Sequence, residues 1–173
     1  MINSTKWFKH AMLASIVCIV PMTSLAATSF LDTDKPFIVI EDEHDRAQAW
    51  GTCAAAYDLM SMMQAKASPA YSKQMSDLSN GATLALFMDY IMGVGSDVSS
   101  SQFSARVKMA TVLQDGIPET QLSAMLSSGE QLQHNKTWIN LITGTINLCM
   151  SNLETQQELI NLWREMYASG AFE

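Results

Sequence analysis

The sequence predicts an all-α fold, a single-domain bundle of about five or six helices with one long-range disulfide. Apolar residues recur at helical spacing from about residue 46 onwards. The segment at the N-terminus has the pattern of a secretory signal peptide, and only two cysteines follow it. The predicted order is therefore a signal peptide at 1–26, an acidic extended lead-in at 27–45 and a helical domain at 46–173.

The signal-peptide prediction depends on three features. Lys6 and Lys9 form a positive start, and residues 11–20 form an apolar run that is too short to span a bilayer. Ser24 and Ala26 then place small residues at the −3 and −1 positions. We expect cleavage after Ala26, a mature protein in the periplasm or outside the cell, and no stable membrane insertion after cleavage.

The charge of the mature chain excludes some partners. Residues 1–26 hold two of the ten Lys and Arg residues and none of the seventeen Asp and Glu residues, so eight basic and seventeen acidic residues remain. A net charge of −9 argues against binding to nucleic acid or to anionic lipid, since those surfaces need clustered Lys and Arg. The acidic balance permits a basic partner.

The lead-in is unusually acidic and contains one apolar run. Residues 37–40 read Phe-Ile-Val-Ile after Pro36 and have high β-propensity. Two interpretations stay open, a short strand or an extended arm that lies over the body. The acidic residues of this segment are Asp32, Asp34, Glu41, Asp42, Glu43 and Asp45.

The first two helices are separated by a clear stop signal. Asp45 is the expected N-cap of a helix over about 46–67 that presents Trp50, Cys53 and Tyr57 on one face. Ser68 and Pro69 then predict the cap and first position of a second helix over about 69–94. This helix is apolar nearly all round from 82 to 92, which predicts burial between neighbouring helices.

Glycine and proline divide the rest of the chain in this prediction. A third helix over about 101–115 ends at Gly116, and Pro118 opens a short fourth helix at 118–128. A fifth covers about 136–151. Ser151 and Glu154 have the spacing of a capping box and predict a sixth helix, but the helical period also continues across them, so one long helix over 136–168 is the alternative.

Two cysteines remain after cleavage, because Cys18 leaves with the signal peptide. An exported chain with one pair of thiols favours a disulfide between Cys53 and Cys149, which would join an early helix to a late one. A metal site is disfavoured, because two thiols do not complete a tetrahedral set and no histidine lies near either cysteine in the sequence.

Asp89 is the one residue that we single out as a candidate functional site. It lies within the apolar stretch 84–92, where a buried carboxylate must be paired, hydrogen-bonded or protonated. A protonated acid in a pocket would favour an enzyme. The structural interpretation, which we prefer, pairs Asp89 with Arg106, Lys108 or a hydroxyl, or leaves it solvated.

No other pattern predicts catalysis. His44 lies in a run of carboxylates that could hold a divalent cation, but the calcium-loop spacing is missing and a solvated acidic run is the preferred interpretation. His134 is expected at an exposed helix end. Motifs for a nucleophilic serine, haem, di-iron, a zinc protease or a phosphate loop are missing from the sequence. We therefore predict no catalytic, metal-binding or cofactor-binding residues and no cofactor.

The order of several short motifs resembles that of the periplasmic amidase-immunity proteins, which are small helical inhibitors with disulfides. The similarity covers about half of the mature chain and lacks the additional cysteines of that family, and residues 153–173 continue past its usual final cysteine. It implies a non-enzymatic inhibitor. The matching positions are Cys53, the segment Asp-Tyr-Ile-Met-Gly-Val at 89–94, the segment Gly-Ile-Pro-Glu-Thr-Gln-Leu at 116–122, and Cys149.

Three hypotheses for function follow. The first is an exported, non-enzymatic module that binds another protein as an inhibitor, immunity factor or assembly element. The second is a small-ligand or lipid-binding protein, and the third is an enzyme that uses Asp89. The sequence leaves the partner's identity and the oligomeric state open. The second hypothesis predicts an interhelical cavity lined by Met60, Met63, Phe87, Met88 and Met92.

Overall fold

The computed structural model describes residues 29–93 and 99–172. Five α-helices follow one short 3-10 turn at Phe37–Val39, and the described residues form no strand. The all-α class and the helix number are therefore confirmed. The helices are α1 (Glu43–Gln64), α2 (Pro69–Met92), α3 (Ser100–Gln131), α4 (Lys136–Met150) and α5 (Leu153–Ala168).

Helix α1 is the centre of the bundle. It packs against α2, α3 and α4, whereas α5 packs against α2. Trp50, Cys53 and Tyr57 are fully buried on α1, as the apolar stripe predicted. Together with side chains from the other helices, such as Leu86 of α2 and Ile142 of α4, they form the main hydrophobic cluster.

The predicted disulfide is present. Cys53 of α1 and Cys149 of α4 are bonded, with Cα atoms 5.6 Å apart and a sequence separation of 96. Both cysteines are buried in the main cluster. By the chain-entropy argument, closing a loop of this size removes conformations of the unfolded chain worth about 4.7 kcal/mol.

A second, smaller cluster lies where α2 and α3 meet α5. Phe87, Met88 and Ile91 of α2 and Ala110 of α3 are its buried members, and apolar side chains of α5 such as Trp163 pack over them. This cluster explains why the end of α2 is apolar nearly all round. One side of the helix faces α1 and α3, and the other is covered by α5.

The start of α1 differs from the prediction. The helix begins at Glu43, and its N-cap is Asp42 rather than Asp45. The Asp42 carboxylate accepts hydrogen bonds from the backbone N–H groups of His44 and Asp45, at 2.8 and 3.0 Å. Two acidic residues in the first turn then suit the positive end of the helix dipole.

Helix α3 also corrects the prediction, because Gly116 does not end a helix and Pro118 does not begin one. The helix runs unbroken past both residues. Pro118 lacks the N–H that would bond to the carbonyl four residues earlier, a penalty of about 3 kcal/mol. Ile117 and Met125 are buried on either side of the proline, and their packing keeps the helix continuous.

The alternative of one long C-terminal helix is wrong, and so is the capping box at Ser151. Helix α4 ends at Met150 and α5 begins at Leu153 with Asn152 as N-cap. The Ser151 hydroxyl instead donates to the carbonyl of Leu148 in the preceding turn, at 2.7 Å. Asn152 is buried, and its side chain bonds elsewhere in the fold.

Other predictions differ by smaller amounts or lie outside the described residues. Helix α2 has Pro69 at its first position and ends at Met92, while Ser68 makes no side-chain capping bond. The predicted signal peptide and its cleavage after Ala26 fall outside the described ranges, and so do residues 94–98. No helix in the described part of the chain has both the length and the apolar character needed to cross a membrane.

Candidate functional site

Residues 29–42, which we call the arm, lie over the bundle, as the second of the two alternatives for the lead-in predicted. The strand alternative is wrong, because Phe37–Val39 form a 3-10 turn. Phe37 is 1% exposed, and its ring meets that of Trp50 edge-on with centroids 4.8 Å apart. This aromatic contact anchors the middle of the arm on α1.

Buried polar side chains of the late helices hold the arm by its backbone. The N–H of Phe30 donates to the Thr145 hydroxyl of α4 at 2.8 Å, and the N–H of Phe37 donates to the Asn152 amide oxygen at 2.9 Å. Both acceptors are almost fully buried, so each bond satisfies a group that water does not reach. The path of the arm is therefore fixed at two points.

A groove of about 890 Å³ opens between the arm and the body, and we call it the arm groove. Its walls are arm residues and the first half of α1, with one residue each from α3 and α4. Apolar side chains on its lining include Leu31 and Ala49, both buried. Gln121 of α3 donates to the Gln48 side chain of α1 at 2.8 Å, which places an amide pair on the lining.

Four carboxylates and one ammonium group surround this groove. All five side chains are exposed, and none forms an ion pair with another described residue. The lining of the groove therefore has a net negative charge. The residues are Asp32, Asp34, Glu41 and Asp45, with Lys35 as the single cation.

Two large apolar side chains lie exposed beside the acidic residues. Ile38 is 70% exposed and Val39 is 54% exposed, although their neighbour Phe37 is buried. Val39 also lines the arm groove. The 3-10 turn thus places one side chain of the apolar run in the core and presents the next two to solvent.

Asp89, the site residue predicted from sequence, has a different partner from those expected. The Nε atom of Arg46 on α1 donates to both of its carboxylate oxygens, at 3.0 and 3.3 Å. The two side chains are 15% and 17% exposed. Arg46 also donates from Nη1 to the carbonyls of Ile40 and Glu41, at 2.7 and 3.1 Å. The Asp89–Arg46 pair therefore joins the arm, α1 and α2.

Arg106, one of the expected partners of Asp89, forms a parallel set of contacts instead. It pairs with Glu43 of α1, donates from Nε to the carbonyl of Tyr90 at 2.9 Å, and lies 4.3 Å above the Tyr90 ring. This end of the bundle thus has two adjacent ion pairs, each of which links α1 to a later helix. The prediction that Arg106, Lys108 or a hydroxyl would pair with Asp89 is wrong.

The residues of the acidic run around His44 make different contacts. Asp42 caps α1, and the hydrogen bond from the backbone N–H of Asp45 is the main cause that lowers the pKa of its carboxyl below the ordinary value. Glu43 forms an ion pair with Arg106, and His44 is exposed. Among residues 29–93 and 99–172, no three His, Cys, Asp or Glu side chains come together as a metal-binding set.

The five residues expected to line a methionine-rich cavity do not share one location. Phe87 and Met88 belong to the second cluster, and Met60 packs against the main cluster. Met63 and Met92 are 40% and 46% exposed. The predicted lining is therefore wrong, because the period of the helices places these side chains on different faces.

His134 lies at the turn between α3 and α4. It is exposed as predicted, and its backbone has a positive φ of 51°. Its ring meets that of Trp138 edge-on, with centroids 4.8 Å apart.

Comparison of the chain with protein-family profiles, with characterised proteins and with solved structures finds no match.

Proposed function

We propose that this chain is an exported, non-enzymatic module that binds another protein, as an inhibitor, immunity factor or assembly element. The observation that carries the proposal is the arm groove, an open and acidic concavity with the exposed Val39 on its lining and the exposed Ile38 next to it in the sequence. Exposed apolar groups beside unpaired charges are typical of a surface that a partner covers.

The pairing of Asp89 supports a binding role over an enzymatic one. Its carboxylate is held by Arg46 at 3.0 Å, and the arginine is itself held by two backbone carbonyls. A carboxylate with this support suits the joining of helices better than proton transfer, which needs a group free to reach a substrate. The enzyme hypothesis would require another reactive group beside Asp89.

Export is part of the same proposal. A buried disulfide is compatible with an oxidising compartment. The signal-peptide pattern of residues 1–26 and the motif order shared with periplasmic amidase-immunity proteins point in the same direction. N-terminal sequencing of the protein from a fractionated host should give Ala27 as the first residue, and an intact Met1 on membrane-embedded protein would contradict export.

Binding can be tested with two matched surface variants. Chain 27–173 is immobilised and exposed to a cell-envelope extract, and captured proteins are identified by mass spectrometry. The test variant carries Ile38→Ser and Val39→Ser. The control carries Met109→Ser and Val112→Ser on α3, whose side chains are 49% and 65% exposed.

We expect a protein that wild type and the α3 variant both capture and that the Ile38/Val39 variant loses at least tenfold. All three proteins should show the same helical circular dichroism, because the changed side chains are exposed. Equal capture by all three, or loss in the α3 variant alone, would mean that the arm does not form the binding surface.

A further inference from the structure

We propose that the arm groove binds an extended, basic segment of the partner protein, one in which Lys or Arg residues alternate with apolar residues. This inference rests on the proposed function and names the chemistry of the occupant. Three features of the groove carry it: the sign of its charge, the spread of that charge and its apolar lining.

The sign follows from the residues around the groove. Four carboxylates face one ammonium group, and none of them is neutralised by an ion pair with a described residue. Charge of one sign in a concave surface raises the local concentration of oppositely charged groups and speeds their association. The complementary ligand is therefore positively charged.

The distribution of the carboxylates favours a ligand with several cationic groups over a single metal ion. No three of these carboxylates form a metal-binding set with one another or with other described residues. Asp32 and Asp34 come from the arm, whereas Asp45 comes from the first turn of α1. A ligand that meets all of them must carry several separate positive charges along its length.

The uncharged side chains of the lining favour a peptide over a small polyamine. Val39 lines the groove and is 54% exposed, and Ile38, its neighbour in the sequence, is 70% exposed. The side chains of Gln48 and Gln121 add hydrogen-bonding groups of the kind that pair with a peptide backbone. An extended segment supplies alternating side chains to such a surface, with basic groups to the carboxylates and apolar groups to the lining.

The test uses a fluorescein-labelled peptide of alternating Lys and Leu residues, eight or so residues long, and fluorescence anisotropy with chain 27–173. The groove variant carries Asp34→Asn and Glu41→Gln, whose exposed side chains have no ion pair to lose. The control variant carries Glu158→Gln and Glu165→Gln on α5, which changes the net charge equally but lies on a helix that contributes nothing to the groove lining. A Glu/Leu peptide, spermine and Ca²⁺ are the competing ligands.

We expect the Lys/Leu peptide to bind wild type and the α5 variant alike and the groove variant about two- to thirtyfold more weakly, since each lost charge pair is near the surface. Binding should weaken with added NaCl, because exposed charges are screened within about 10 Å at 0.1 M salt. The Glu/Leu peptide should not bind, and spermine or Ca²⁺ at equal charge should displace the peptide poorly.

Three results would overturn the inference. Equal weakening in the groove and α5 variants would show that net charge alone attracts the peptide. Efficient displacement by spermine or Ca²⁺ would show that the site takes small cations. Failure of the Lys/Leu peptide to bind at low salt would show that the groove does not take a basic segment. If the peptide fails to bind but the Ile38/Val39 variant still loses its captured partner, the proposed function stands and this inference is wrong. If the peptide binds but no protein is captured, the groove takes a basic segment and the proposed function is wrong.

Discussion

Replacing Asp89 by asparagine tests the structural role of the ion pair between α1 and α2. The substitution keeps the shape of the side chain and removes its charge. Arg46 then keeps two carbonyl acceptors, from Ile40 and Glu41, but its side chain is only 15% exposed and little water can replace the carboxylate. Breaking a fully buried pair costs about 3–5 kcal/mol of the free energy of unfolding. Since both side chains keep some exposure, we expect a loss of about 1.5–3 kcal/mol.

The pair between Lys73 and Asp77 on α2 provides the matched control. Its atoms are closer, at 2.7 Å against 3.0 Å, but its side chains are 75% and 61% exposed. An exposed i,i+4 pair is worth about 0.3–0.5 kcal/mol, so Asp77→Asn should cost no more than that. If distance decided the energy, the order of the two variants would be reversed.

Urea denaturation followed by circular dichroism at 222 nm measures both losses, and an Arg46→Met variant completes a double-mutant cycle with Asp89→Asn. A loss for Asp89→Asn no larger than that for Asp77→Asn would refute the argument that burial gives this pair its weight. A third result would change the interpretation of the residue altogether. If Asp89→Asn melts like wild type yet loses the captured partner, Asp89 belongs to the functional site.

Two glycine substitutions test how closely α1 packs on α3, and a third substitution tests a buried hydroxyl of α1. Gly51→Ala would place a Cβ 2.3 Å from Ile117 Cγ2, whereas at Gly116 it would meet nothing within 4 Å. Both changes gain about 1 kcal/mol of helix propensity, but Gly51→Ala adds an overpacking cost of about 1–3 kcal/mol. Gly116→Ala should therefore unfold at a higher urea concentration than Gly51→Ala. Equal unfolding midpoints would contradict the close contact at Gly51. Tyr57 is fully buried, its hydroxyl has no hydrogen-bond partner among the described residues, and burial raises its pKa well above the ordinary 10.0. The folded protein therefore holds this proton more tightly than the unfolded chain, and stability falls as the pH rises past 10, by up to about 1.4 kcal/mol per pH unit. Tyr57→Phe should remove that part of the fall and cost little at pH 7, which urea melts between pH 7 and 11 can check.

The interiors of the helices and the disulfide could be predicted from sequence because both depend on patterns that one segment carries by itself. The buried face of α1 follows from the spacing of Trp50, Cys53 and Tyr57, and the two remaining cysteines had one possible pairing. Helix ends were less predictable. Pro118 is a strong local stop signal, but burial of Ile117 and Met125 on both sides of it outweighs the lost hydrogen bond.

Some local signals were present in the sequence and were not used. Ser99 and Gln102 have the capping-box spacing, and in the structure the Ser99 hydroxyl and the Gln102 side chain cap α3 reciprocally. Ser151 and Glu154 have similar spacing without forming such a cap. The difference is tertiary. Asn152 is buried, and its amide oxygen accepts a hydrogen bond from the arm at Phe37. Asn152 is therefore the N-cap residue of α5, and Ser151 is the C-cap residue of α4.

The candidate site was the least predictable part, since its groups come from distant segments. Residues 29–35 meet Gln121 and Leu148 in the arm groove, and no periodicity relates these positions. The partner of Asp89 was missed for the same reason. Arg46 lies 43 positions before Asp89 in the sequence, and only the packing of α1 on α2 brings it to the carboxylate.

The acidic residues of the lead-in show why the groove points to a partner. Asp42 and Glu43 have structural tasks, as a helix cap and an ion pair. Asp45 lies in the first turn of α1, where the helix dipole favours a carboxylate. Asp32, Asp34 and Glu41 form no ion pair with a described residue, although Lys35 lies on the same groove lining, so no contact in the described structure offsets their mutual repulsion. Folding alone therefore does not explain them, whereas a positively charged ligand would convert the same repulsion into attraction on binding. The Asp34→Asn/Glu41→Gln variant should accordingly unfold at a urea concentration no lower than wild type, while it binds the basic peptide more weakly. A clear loss of stability in that variant would instead show that Asp34 and Glu41 stabilise the fold.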